Sequence, residues 1–263
     1  MISSAPATME PMSGAKLASI AAAGVAGGLV FAWIASAGDG GAVLVALVLW
    51  VAGVAGISLY VKLSRRRAME REARRLGFSF SPKDPFRILD LGFHPFLRVG
   101  KLPGTQAVEN VVWGVRDGRE VRAFEYRRPA EEPIRYSCAM LRIPDGWPSL
   151  LVRRRGPADI VLDAMGPRGV EFELETFNRL FEVRAVDRRW ASSVVDQRMM
   201  SWLLESDPAI GFQLQHGWLL AWMPRLEPHE LQRVVAMVEG FHERIPRAVW
   251  SLRHKWTAVE EGT

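Results

Sequence analysis

The sequence predicts an α+β protein, with an N-terminal two-helix transmembrane hairpin followed by a soluble domain of mostly antiparallel sheet with appended helices. Two observations predict the hairpin: residues 17–37 and 42–61 contain no charged side chain, and only a short glycine-rich segment separates them. A third observation predicts the soluble domain. After residue 76 the sequence changes to short strand-like alternations and helix-like periodicities, with turn residues between them.

Each uncharged segment is long enough to cross the roughly 30 Å hydrocarbon core of a bilayer as a helix, at about 1.5 Å per residue. Lipid offers no hydrogen bonds to open backbone, so helix is the expected form. The segment Gly38-Asp39-Gly40-Gly41 predicts a tight turn between antiparallel neighbours. Two alternatives are a buried hairpin in a soluble protein and a signal peptide cleaved after Ala35-Ser36-Ala37. The second full-length apolar segment argues against both.

Positive charge is concentrated directly after the second segment. Residues 62–75 contain seven basic and two acidic side chains, so their excess equals the formal net charge of +5 of the whole chain. Such a flank stays in the cytoplasm, and we therefore expect both termini there and a multi-pass protein of the cell membrane. The membrane-flanking basic residues are Lys62, Arg65, Arg66, Arg67, Arg71, Arg74 and Arg75. Because charge is balanced elsewhere, no nucleic-acid partner is expected.

The expected organisation follows from these boundaries. It comprises a disordered N-terminus at 1–16, the hairpin at 17–62, a basic juxtamembrane helix at 63–76, a cytoplasmic α+β domain at 77–250 and a C-terminal tail at 251–263. Small residues at four-residue spacing, such as Ala52 and Gly56, would let apolar helices approach closely and form a homo-oligomer.

The soluble part begins with residues 77–107, whose four prolines and four glycines predict a connecting stretch. Hairpin turns are predicted at Asp117-Gly118 and His216-Gly217. One predicted strand rests on the strict alternation of apolar residues and glutamates from Val170 to Thr176. The predicted strands are 108–116, 119–128, 134–143, 150–152, 170–176, 181–185, 212–214 and 218–223.

Two helices are predicted late in the chain. Asp187 is a suitable N-cap for a helix through Leu204, with Trp190, Val194 and Trp202 on its apolar side. Pro228 opens a second helix, which Ile245-Pro246 ends.

No catalytic, cofactor-binding or metal-ligating motif is present in the sequence, so no catalytic, cofactor-binding or metal-binding residue is predicted and no cofactor is expected. The five histidines lack metal-ligand spacing, and His242-Glu243 is not followed by a second histidine at i+4. The single cysteine, Cys138, excludes an intramolecular disulfide. The run Arg153-Arg154-Arg155 has two interpretations, an anion-binding group or a solvated turn.

Several segments resemble a family of uncharacterised bacterial membrane proteins that combine an N-terminal transmembrane hairpin with a cytoplasmic domain of unknown function. The matching segments are 177–183, Asp187, Ala191, 199–200, 202–204, 110–114, 124–126 and 245–246, and the likeness spans about residues 77–250. The resemblance implies this architecture and a bacterial source. It implies no activity and no site residue.

Together these observations favour a non-enzymatic, membrane-anchored binding or scaffold module, whose partners are the lipid bilayer and another protein at the cytoplasmic face. The alternative is an enzyme that acts on a membrane-associated substrate, with an acid such as Glu125 or Asp196 in a catalytic role. A transporter or channel subunit is disfavoured because neither apolar segment contains an ionisable residue.

Overall fold

The computed structural model describes residues 40–96, 106–128, 134–155, 169–207 and 209–251. The first predicted membrane segment (17–37), the predicted N-terminal tail and all of the predicted C-terminal tail except Ser251 lie outside the described residues. The chain divides into two compact units, Met1–Ser64 and Arg65–Thr263.

Helix α1 spans Gly40–Arg75 and contains the second predicted membrane segment. It begins earlier than expected, since Gly40 and Gly41 are helical rather than part of a turn. Among the described residues, α1 is the one helix that is long and apolar enough to cross a membrane, by length and composition. Within the described part of the chain, the most apolar stretch of α1 is not buried. The first helix of the hairpin, at 17–37, remains a prediction.

The second unit is built on an eight-stranded sheet in which every paired neighbour is antiparallel. Its spatial order is β1-β2-β3-β4-β8-β7-β5-β6. The strands are β1 Ser79–Lys83, β2 Ala107–Arg116, β3 Arg119–Arg128, β4 Ile134–Arg142, β5 Leu150–Arg154, β6 Phe181–Ala185, β7 Gly211–Gln215 and β8 Trp218–Pro224. Both predicted hairpin turns are present, with positive φ at Asp117 and Gly118 and at His216 and Gly217.

Helices are added to this sheet, which confirms the predicted α+β class. They are α2 Glu175–Leu180, α3 Arg188–Val194, α4 Gln197–Glu205, α5 Leu231–Arg244 and α6 Arg247–Ser251. One sheet face packs against α3, α4, α5 and the final turns of α1, with Trp190 and Phe241 fully buried there. The other face is covered by residues 86–96, whose Phe96 packs on Phe124 and Tyr126 and against Phe93.

The prediction of a strand at Val170–Thr176 is wrong. Residues 169–174 form no strand, and α2 begins at Glu175. The alternation still describes burial, because Phe172 packs on the core while Glu171 and Glu173 are exposed. The Asn178 side chain, however, accepts from the Phe172 amide at 2.9 Å and donates to its carbonyl at 2.7 Å. At Phe172 these two bonds take the place of bonds to a neighbouring strand.

Two further elements differ from the prediction, a strand near residue 80 and the helix that begins after Asp187. Strand β1 lies in the stretch expected to be a connection, paired with β2 at the edge of the sheet. The helix predicted from Asp187 to Leu204 is two helices. Asp187 caps α3, as predicted, by accepting from the Arg189 amide, while the Asp196 carboxylate accepts from the Met199 amide and starts α4. A second capping residue within one apolar stripe therefore divides the helix.

Candidate functional site

The end of α1, from Arg65 to Arg75, has two faces of different chemistry. Met69 and Ala73 are buried in the core beneath the sheet, and Glu72 is buried beside them. Arg67 and Arg71 lie on the opposite side of the helix and are exposed. The predicted basic segment is therefore an amphipathic helix that belongs partly to the core of the domain.

The seven predicted basic residues do not behave alike. Arg74 donates to Glu70 at 2.6 Å and Arg75 donates to Glu72 at 2.5 Å, so both are ion-paired within the helix. Arg66 is half-buried and Lys62 is exposed. Arg65 donates a hydrogen bond to Glu125 on the sheet.

Arg65 enters a cluster of polar side chains, which we call the Glu125 cluster: Arg65, Asn110, Glu125, Ser137, Arg225 and Glu227. The Arg65 Nε atom donates to Glu125 Oε1 at 2.7 Å. Its Nη1 atom lies 3.2 Å from Glu227 Oε2, and its Nη2 atom donates to the Leu226 carbonyl at 2.5 Å. One guanidinium thus joins β3 to the segment after β8.

Glu125 is the centre of this cluster and is only 7% exposed. Besides Arg65, its Oε1 atom accepts from Arg225 Nε at 3.1 Å, and its Oε2 atom accepts from Asn110 Nδ2 at 2.5 Å. Burial acts to raise the pKa of Glu125, but Arg65, Arg225 and Asn110 together outweigh it and lower that pKa below its ordinary value. The carboxylate is therefore held in its charged form.

Asn110 owes its position to an irregularity in the sheet. The register between β2 and β3 shifts between Glu109 and Val112, and Asn110 has a φ of 55° within this bulge. Asparagine tolerates this left-handed conformation better than most residues. An asparagine inside an apolar strand pattern is the sequence signal that could have identified it.

The two acids named as catalytic alternatives both have structural partners. Glu125 is paired with two arginines, and its lowered pKa suits a counter-ion better than a general acid. Asp196 caps α4, where it accepts from the Met199 amide at 2.8 Å. Among the described residues, no group of three or more His, Cys, Asp and Glu side chains could hold a metal ion.

A second buried carboxylate, Glu182, lies on edge strand β6 and is 3% exposed. Arg153 of β5 binds its Oε2 atom at 2.5 Å, and Arg184 pairs with its Oε1 atom. The Arg154 guanidinium stacks on the Phe181 ring, and Arg155 Nε donates to the Phe181 carbonyl. The arginine run is thus engaged by β6, which neither sequence interpretation anticipated.

No protein-family model and no curated protein matches the chain. Among solved structures, similarity is found to the crystal structure of the mycobacterial trehalose monomycolate transport factor A, TtfA. The two are 16% identical, with a TM-score of 0.49 over 68% of this chain and 93% of that one. We draw no functional conclusion from this likeness, and the predicted resemblance to uncharacterised bacterial membrane proteins stays a prediction.

Proposed function

We propose that the protein is a membrane-anchored module whose folded domain binds another protein at the cytoplasmic face. The observation that carries the membrane assignment is the surface of α1. Its apolar side chains are exposed along the described part of the helix: Leu44, Val45, Leu47, Val48, Leu49, Trp50, Val51, Val54, Ile57, Leu59, Tyr60 and Leu63. Exposure of such a surface to water would be strongly unfavourable, so lipid is its natural environment.

The charge of the chain supports a cytoplasmic domain. The apolar surface of α1 ends at about Leu63, and arginines follow at once, with no acidic residue between Leu63 and Glu70. Arginine and lysine next to a span are retained on the cytoplasmic side. We infer that the domain is cytoplasmic and that the predicted first span at 17–37 returns the N-terminus to the same side.

A binding role fits the polar chemistry of the domain better than catalysis does. Among its buried carboxylates, Glu125 and Glu182 are each bound by two arginines and Glu72 is bound by Arg75. Asp196 is a helix cap. These groups are engaged in holding the fold. We therefore propose that the domain acts by presenting a surface to a protein partner and that the anchor concentrates that partner at the membrane.

The test is expression of the full chain in bacterial membranes. We expect the chain to stay in the membrane pellet after an alkaline carbonate wash. Of two C-terminal fusions, the one to a reporter that works only in the cytoplasm should be active, and the one to a reporter that works only in the periplasm should be inactive. Release by carbonate would overturn the anchor, and a periplasm-active fusion would overturn the orientation. Cross-linking in intact cells followed by mass spectrometry should then identify a recurrent partner, which a chain lacking residues 77–251 should lose.

A further inference from the structure

We propose that Arg67 and Arg71 bind the phosphate groups of anionic lipid headgroups, which makes the end of α1 a binding site selective for anionic lipid. The inference rests on the proposed membrane anchor and adds a ligand to it. Both side chains are exposed. They are four residues apart, and residues at that spacing lie on the same face of a helix.

The rest of the helix explains why this pair is available for an external anion. Arg65, Arg74 and Arg75 each have a carboxylate partner inside the protein. Glu70 is within helical reach of Arg67, but its carboxylate is bonded by Arg74. Among the described residues, no carboxylate pairs with Arg67 or Arg71. Two like charges at i and i+4 repel each other, so an anion between them is stabilising.

The positions of Arg67 and Arg71 along α1 indicate that the bilayer supplies this anion. Arg67 follows Val61, the last residue of the apolar segment, by six residues, or about 9 Å of helix, and Arg71 follows it by ten, or about 15 Å. Helical side chains tilt toward the N-terminus, which here is the direction of the apolar segment. Long arginine side chains therefore lean back toward the headgroup layer, as snorkelling residues do. Arg74, at about 20 Å, lies beyond it.

The experiment uses the full chain in vesicles that contain spin-labelled phosphatidylglycerol or phosphatidylcholine as the probe. Electron paramagnetic resonance of the motionally restricted lipid then gives the relative association constant of the two headgroups. A basic residue near an anionic surface strengthens attraction about fivefold. We expect a clear preference for phosphatidylglycerol that the double variant Arg67→Gln, Arg71→Gln reduces severalfold, with Arg67→Gln alone more harmful than Arg71→Gln.

Two control variants keep the result specific. Arg179→Gln combined with Arg189→Gln removes the same charge from exposed sites on α2 and α3 and should leave the preference unchanged. Arg67→Lys combined with Arg71→Lys retains the charge and should retain most of the preference. Glutamine and lysine are both good helix formers, so α1 should persist in every variant.

The outcomes separate this proposal from the anchor itself. If the wild-type chain resists carbonate but shows no headgroup preference, the lipid-binding proposal is overturned and the anchor stands. The same follows if the double variant keeps the preference of the wild type. Binding of inorganic phosphate to the chain in phosphatidylcholine vesicles, together with no preference for phosphatidylglycerol, would assign the pair to a free anion and also overturn it. Release of the wild-type chain by carbonate would instead remove the premise.

Discussion

Arg65 and Glu125 lie 60 positions apart in the chain, and their side chains meet with Nε 2.7 Å from Oε1. Arg65 is the first residue of the second compact unit, and its side chain is 13% exposed. Glu125 lies on β3 and also holds Arg225 from the segment after β8. One carboxylate on β3 therefore binds both the first residue of the folded unit and the segment after β8.

The first prediction concerns the loss of this charge. Glu125→Gln keeps the shape of the side chain but removes the buried counter-ion of Arg65, whose remaining carboxylate partner, Glu227, is exposed. Removing one partner of a buried pair typically costs about 3–5 kcal/mol, and the 33% exposure of Arg225 moves the expected value toward the lower end. Thermal unfolding of the full chain in detergent should show a clearly lower midpoint. Glu171→Gln, on the surface, is the control and should leave the midpoint unchanged.

The second prediction isolates the bulge at Asn110. Asn110→Ala removes the hydrogen bond to Glu125 and also places a less tolerant residue at a φ of 55°, whereas Asn110→Gly removes only the bond. We expect alanine to be more destabilising than glycine by about 1 kcal/mol, the usual cost of a left-handed conformation. Urea unfolding curves measure the difference. Equal midpoints for the two variants would show that the backbone is not strained here.

The third prediction compares two tryptophans that the helical pattern assigned to the same apolar side. Trp190 is fully buried against Trp147, whereas Trp202 is half-buried between Phe212, Phe241 and the Arg244 guanidinium. Trp190→Ala should cost about 3–5 kcal/mol, and Trp202→Ala should cost less because solvent already reaches the ring. Thermal melts of both variants provide the test. A Trp202→Ala variant with a wild-type midpoint would identify that ring as a docking surface instead.

The fourth prediction is a pH dependence. Burial, reinforced by the charge of Arg119, lowers the pKa of His242 to about 4 from its ordinary 6.5. The folded state therefore favours the neutral imidazole, and the stability this provides is complete above pH 6.5 and is lost as pH falls toward 4. Relative to wild type, His242→Gln should lose less stability across this window. His229→Gln, at an exposed site, should follow the wild-type curve.

The sequence by itself was sufficient for features that depend on neighbouring residues. The Asp117-Gly118 and His216-Gly217 turns, strand β3 and the Asp187 cap are all where the pattern predicts them. The apolar face of α5, from Leu231 to Phe241, is buried as its spacing predicts. Turn chemistry, capping and periodicity are local, so a few residues determine each of them.

Tertiary structure decided the rest, because the competing contacts come from distant parts of the chain. Strand β5 pairs with both β6 and β7, and β4 pairs with β8, although no local signal distinguishes these neighbours from others. The Val170–Thr176 segment alternates like a strand, yet the backbone groups of Phe172 bond to the Asn178 side chain. Likewise, the sequence predicted Arg65 as a membrane-flanking basic residue, whereas in the structure it pairs with Glu125, since a buried carboxylate is stable only with its charge neutralised.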